Sequence, residues 1–321
     1  MREALFIKKN KDRWLKVQQN PPEDADEMAT EFTKLVDDLA YAKTFYPSGK
    51  VTQYINGQAA KIYLGIYGNR KEESNRLITF WKKDLPLVIR KHHKVILFSF
   101  ILFILFVSVG VFSASRDETL IRQLFGDDYI NRRERDIENG NPFGLYQYGN
   151  PVLMFFGLMI HNISVSMRMF AEGLFFGIFT IKDLVYNAMM VGFFEYFYFS
   201  KGLGQLSILT IMIHGTLELS ALVLSASAGV VLGKSFLFPG TISRMASLKQ
   251  GAKEGVKIMI GIMPVFIMAA FFEGFVTRYY QMPKPLNISI LAVSAGFIIW
   301  YFIIYPIRLQ RKLAVNFPVE D

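Results

Sequence analysis

The sequence predicts an all-α, polytopic membrane protein of about six transmembrane helices behind a soluble N-terminal helical domain. Three observations carry this. Several uninterrupted apolar stretches are long enough to cross a bilayer. Basic and acidic residues fall in different stretches of the chain. Hydrophobic residues make up 52% of the 321, with 30 Phe and 15 Tyr, while the mean hydropathy is only +0.27, as expected when part of the chain lies outside lipid.

The charge map orders the segments. Residues 1–93 hold 17 Lys/Arg against 12 Asp/Glu, 113–150 hold 5 against 7, and 233–257 hold 5 against 1. Positive segments stay on the cytoplasmic side, so the net charge of +9 reads as topology rather than as a nucleic-acid footprint. The division expected is a cytoplasmic helical domain at 1–93, a transmembrane domain at 94–312 with an extracytoplasmic loop at 113–150 inside it, and a cytoplasmic tail at 313–321.

Within the first domain, 4–18, 24–45, 51–67 and 72–91 read as helices, with a Pro47-Ser48-Gly49 turn. The face of 51–67 carries Ile55, Ala59, Ile62 and Ile66; that of 72–91 carries Leu77, Trp81, Leu85 and Val88. This last helix is expected to run on into the first span. Residues 95–112 are 18 mostly apolar residues without charge; at 1.5 Å per residue they cover about 27 Å. The loop holds a short helix at 120–125 and the turn-rich Asn139-Gly140-Asn141-Pro142. Further spans are expected at 151–180, 184–198, 206–232, 258–276 and 288–305, with an inner turn at Lys182-Asp183. Residues 234–257 place Ile242, Met245, Leu248 and Ala252 at helical spacing and suit a helix on the membrane surface.

Polar residues within the spans are the candidate site. His214 and Glu218 are four apart and share a helix face, which continues through Ala221, Ser225, Gly229 and Gly233. Glu273 lies in a second span with Thr277 four residues on, and Arg168 is the one cation within the apolar stretches. Charge balance inside lipid favours pairing Arg168 with Glu218 or Glu273. The expected buried polar cluster is Asn162, Arg168, Asn187, His214, Glu218, Glu273 and Thr277. It serves either helix packing alone, transport or proton relay, or partner docking. Gly173, Gly177, Gly215, Ser225, Gly229 and Gly233 are read as helix-packing positions. His161 reads as a packed histidine, and neither a metal nor a cofactor is expected.

Several chemistries lack their residues. Without cysteine there is no disulfide, thiolate nucleophile or Cys-ligated metal. His214 and Glu218 do not form His-Glu-x-x-His, and neither Gly-x-Ser-x-Gly nor a phosphate-binding Gly-x-x-x-x-Gly-Lys-Ser/Thr loop occurs. The expectation is a non-enzyme, and any ATP-driven step through such a loop would come from a separate ATPase.

The run from His214 to Ala221, followed by Ala228-Gly229-Val230-Val231-Leu232-Gly233 and by Pro239-Gly240, resembles the signature of the stage II sporulation protein M family. The run from Ala269 to Arg278 resembles that family's second box. The chain departs from the pattern at His161-Asn162, at Asn187-Ala188 and at Ile213, which stands in place of Pro. The resemblance covers about 95–305. It implies a helical, multi-pass protein of the bacterial inner membrane, and the charge map with an even number of spans puts both termini in the cytoplasm. It also implies a scaffold of the cell envelope that organises partners such as peptidoglycan hydrolases. A channel or transporter built on the polar cluster is the alternative, and an enzyme acting on lipid or wall precursors a third reading. Partners expected are membrane lipids, envelope proteins and a second copy of the chain, with no nucleic acid.

Overall fold

A computed structural model describes residues 3–19, 24–68 and 76–316. Helix accounts for nearly all of them, and no strand occurs among the described residues. The chain divides into two compact units, Met1–Arg76 and Leu77–Asp321.

In the first unit α1 (Glu3–Gln19), α2 (Ala25–Phe45) and α3 (Lys50–Gly68) enclose a core of Phe6, Trp14, Leu35, Ala42, Ile55 and Ile62. Asp24 caps α2 by accepting from the backbone N–H groups of Asp26 and Glu27. Trp14 Nε1 donates to Asp38 at 2.8 Å, and Arg13 pairs with the same carboxylate. Ile66 and residues 72–75, part of the faces read from sequence, lie outside the described side chains.

The second unit begins within α4 (Arg76–Thr79), a π-helical turn (Phe80–Asp84) and α5 (Leu85–Lys91). Leu85, Val88 and Ile89 join the core that α11 and α12 build, whereas Leu77 is 78% exposed. The hydroxyls of Tyr301 and Tyr305 donate to the carbonyls of Trp81 and Lys82 within the π turn. The helix does not run on into the first span. It breaks at His92, whose ring meets Glu254 at 2.6 Å, and α6 (His93–Arg116) starts afresh.

Then come α7 (Thr119–Phe125) and α8 (Asp127–Glu138), α9 (Pro151–Ala171), α10 (Ile178–Ser200), α11 (Gly204–Leu237), α12 (Arg244–Phe271), α13 (Lys284–Ile299) and α14 (Tyr305–Asn316). Among the described residues, five helical stretches are long and apolar enough to cross a membrane: His93–Arg116, Pro151–Leu174, Gly204–Leu237, Arg244–Thr277 and Lys284–Ala314. The outward side chains of α6, among them Leu97, Phe98, Phe100, Ile101, Ile104 and Leu105, are exposed and apolar, as a lipid-facing helix requires.

α10 is not among the five, because Asp183, Asn187 and Glu195 lower its hydropathy. It nevertheless runs antiparallel along α11: Thr180 lies against Gly229 near one end, and Ser207 Oγ donates to Glu195 Oε2 at 2.8 Å near the other. Its acids face the protein, since Asp183 and Glu195 are both buried.

Two segments differ from the sequence reading. The turn before α10 falls at residues 175–177, not at Lys182-Asp183. Gly177 takes the left-handed φ of 79°, and Phe176 beside it has φ 60°. Residues 244–257 are the first half of α12, continuous with its apolar half and packed on α11. The face it closes with is the small-residue row Ser247, Gly251 and Gly255, where a Cβ on Gly251 would overlap Ser235. Ile242 and Met245, expected on the apolar face, are exposed.

Without a hydrophobic drive between helices in lipid, close backbone approach supplies the packing. A Cβ on Gly173 would overlap the carbonyl of Gly229, and one on Gly233 would overlap the backbone at Phe176-Gly177. Ser225 Oγ donates to the Ser166 carbonyl across the α9–α11 crossing at 2.9 Å. Gly215 is buried but would meet a Cβ only with ordinary contacts to Met212 and Leu219. A second crossing, Gly110 of α6 against Gly192 of α10, was not marked in the sequence because each glycine stands alone.

Candidate functional site

α11 is the central helix of the second unit, touching α6, α9, α10, α12 and α13. Its polar residues therefore point into protein on nearly every side. α12 ends in a π-helical turn, Phe272–Thr277. The wider turn carries both Glu273 and Thr277, and π turns inside α-helices often mark functional positions.

These two helices bring His214, Glu218, Glu273 and Thr277 together. His214 Nδ1 lies 3.0 Å from Thr277 Oγ1, and Nε2 lies 3.9 Å from Glu273 Oε1. One ligand atom from each of His214, Glu218 and Glu273 can be chosen so that all lie within 4.8 Å of one another. Asn162 of α9, 8% exposed, sits beside the Glu218 carboxylate. His214 is 5% exposed and Thr277 fully buried.

Two hydrogen-bonding states fit this geometry. In one, Thr277 donates to Nδ1 and Nε2–H faces the Glu273 carboxylate. In the other, Nδ1–H donates to Thr277 and the Nε2 lone pair faces Glu273 and Glu218.

The structure places Arg168 and Asn187 elsewhere. Arg168, 61% exposed at its side chain, pairs with Asp183 at 3.2 Å and Glu172 at 3.8 Å, so the expected pairing with Glu218 or Glu273 does not form. The reason is position: Arg168 is near the C-terminal end of α9, next to the turn into α10. Asn187 donates to the Asp183 carbonyl within its own helix. His161 is exposed rather than packed.

One participant was invisible to the sequence. The Tyr146 ring, from a 3-10 turn (Gly144–Tyr146), stands edge-on to His214 with centroids 5.5 Å apart. No local pattern marks Tyr146; the folding of the 117–150 segment brings it there. In that segment Phe143 stacks on Tyr198, the hydroxyls of Tyr198 and Tyr280 reach the carbonyls of Pro142 and Gly140, and Arg278 and Gln147 exchange hydrogen bonds. Ile121, Ile130, Phe143 and Tyr146 share a core with Phe193, Phe197, Ile211 and Tyr280. The segment is thus a folded cap on α10, α11 and the end of α12. Burial raises the Tyr146 phenol well above its ordinary range.

A bundle of long apolar helices with an interior polar centre under a folded cap defines an α-helical membrane protein. The chain belongs to the Stage II sporulation protein M family, whose model matches residues 99–278, more than half of it. The match runs from α6 through Arg278 and so contains the whole polar centre. A Domain of unknown function (DUF8413) matches residues 4–68, which are α1 to α3. No curated protein and no solved structure matches the chain.

Proposed function

We propose that this protein is a non-enzymatic scaffold of the cell envelope, sitting in the inner membrane and presenting the folded cap at residues 117–150 to envelope partners such as peptidoglycan hydrolases. The observation that carries the reading is the cap itself. Its Ile121, Ile130, Phe143 and Tyr146 are buried against the bundle, while its polar face, including Asp128, Arg132 and Glu138, stays exposed. A surface held rigid before binding loses little conformational freedom when a partner docks.

In this reading α10 crosses the membrane as a sixth span, because it follows α11 from one end to the other. The positively charged 233–257 and 90–94 segments then lie in the cytoplasm, as do both termini, and the cap lies outside. Membership of the family supports the scaffold role. The alternative channel or transporter needs a conducting path through the polar centre, and the burial of His214 and Thr277 beneath Tyr146 argues against one.

The test is photo-crosslinking in native membranes, with the probe at exposed Asp128 or Arg132 of the cap and, for comparison, at lipid-facing Ile104. Wall hydrolases captured from the cap positions and not from Ile104 support the scaffold. Equal capture at both positions, or ion or solute flux through reconstituted vesicles that Glu218→Gln abolishes, defeats it.

A further inference from the structure

We infer that His214, Glu218 and Glu273 form a binding site for one divalent transition-metal ion of the zinc class. The inference stands apart from the scaffold reading and requires none of it.

The donor set suits the ion. Imidazole nitrogen and carboxylate oxygen are both donors that zinc takes, and three protein ligands leave a fourth position for water or another group. The ligand atoms of a tetrahedral ion bound at about 2.0–2.1 Å stand roughly 3.3 Å apart. The 3.9 Å between His214 Nε2 and Glu273 Oε1, within a group spanning at most 4.8 Å, closes to that value by small carboxylate rotations.

The surroundings are those of a ligand site. Metal-bound histidines hold their second ring nitrogen in a hydrogen bond that fixes the tautomer. Thr277 Oγ1 at 3.0 Å from Nδ1 supplies that partner, leaving the Nε2 lone pair directed at the two acids. Charge closes as well: a dication with two carboxylates and a neutral imidazole is neutral, and Arg168, the cation that the sequence offered as a partner for these acids, is engaged by Asp183 and Glu172. The Asn162 side chain of α9, itself 8% exposed, reaches the Glu218 carboxylate from the third helix. It is placed to donate to the non-ligating oxygen of Glu218 or to a metal-bound water. The ion would tie α11 to the π turn of α12 directly under Tyr146.

The experiment uses the full chain purified in detergent, stripped with chelator and titrated with Zn2+ against a chromophoric competitor. One equivalent binds to the wild type. His214→Ala and Glu273→Gln abolish that equivalent, Thr277→Val weakens it about tenfold to a hundredfold by freeing the ring, and Glu172→Gln, at the other polar group, leaves it intact. Because a variant could fail to fold, Co2+ is added to the wild type alone, where visible bands of a four-coordinate nitrogen–oxygen site are expected. A wild-type chain that retains neither ion, or a Glu273→Gln chain that binds Zn2+ as tightly as the wild type, overturns the inference.

Discussion

Glu218 of α11 and Glu273 of the α12 π turn face each other, each with a carboxylate oxygen within 4.8 Å of the other and of a His214 ring nitrogen. At an effective dielectric of about 20, two unit charges at that distance repel by roughly 3 kcal/mol. The repulsion is not offset by Arg168, which pairs elsewhere. Something positive, a proton or a cation, has to sit between them.

It follows that chelator-treated protein gains stability when one of the two acids is made neutral. Glu273→Gln keeps the shape and removes half of the repelling pair. An increase of about 2–4 °C in the thermal midpoint is expected, corresponding to ~1 kcal/mol in a unit of this size. Circular dichroism melts in detergent, run with chelator present, measure it. A lowered midpoint would mean that the pair is already compensated within the chain.

Two glycines of the Pro151–Leu174 stretch give an internal comparison of packing. A Cβ on Gly173, just after α9, would overlap Gly229, whereas one on Gly157 of α9 meets nothing within 4 Å. Gly173→Leu is expected to cost about 1–3 kcal/mol or more through overpacking, with a lowered thermal midpoint. Gly157→Leu should be neutral, since the added side chain points into open space. Equal losses for both would remove the α9–α11 crossing from the account.

How far the sequence showed this centre depended on range. His214 with Glu218, and Glu273 with Thr277, are four-residue relations within single helices, so helical periodicity alone put each pair on one face. That Arg168 lies away from them depends on where α9 ends, and the end is set by Gly177 and Phe176 adopting positive φ, a backbone event with little hydropathy signal. Tyr146 reaches His214 only through the folding of the cap, a contact between residues far apart in sequence that no local pattern encodes. Likewise α12 shows its buried face through Ser247, Gly251 and Gly255, which read as weakly polar in a search for large apolar side chains. The two families matched along the chain divide it much as the compact units do, the first within Met1–Arg76 and the second within Leu77–Asp321.

Within the cap, Arg133 is 5% exposed. It pairs with Asp136 at 3.0 Å and lies over the rings of Tyr129 and Tyr148. Removing one member of a buried pair leaves the other uncompensated and typically costs about 3–5 kcal/mol. Arg133→Ala should therefore loosen the cap while leaving the spans folded. Limited proteolysis checks this: cleavage is expected between residues 117 and 150 and not within α9 to α12. Protection equal to the wild type would show that the Phe143, Tyr198 and Tyr280 contacts hold the cap by themselves.

The cap is also tied to the end of α10 by charge, and this tie has a pH signature. Lys201 Nζ donates to Glu134 Oε1 at 2.9 Å, and Arg122 donates to Oε2 at 2.6 Å. The Lys201 hydrogen bond foremost, with the charges of Lys201 and Arg122, holds the Glu134 carboxyl below its ordinary 4.5, against a smaller opposing effect of burial. A carboxyl lowered in the folded state binds fewer protons there than when unfolded. Its contribution is thus complete above about pH 4.5 and disappears as the pH falls through the lowered value. Hydrogen-exchange protection factors of α7 and α8, taken relative to the intrinsic rate at each pH, should accordingly fall on acidification below that pH in the wild type. In Glu134→Gln the neutral amide cannot titrate, so protection should start lower at neutral pH and change less on acidification. Identical acid profiles for the two chains would assign the loss to other carboxyls of the cap, Asp136 or Asp127, and remove Glu134 as the tie.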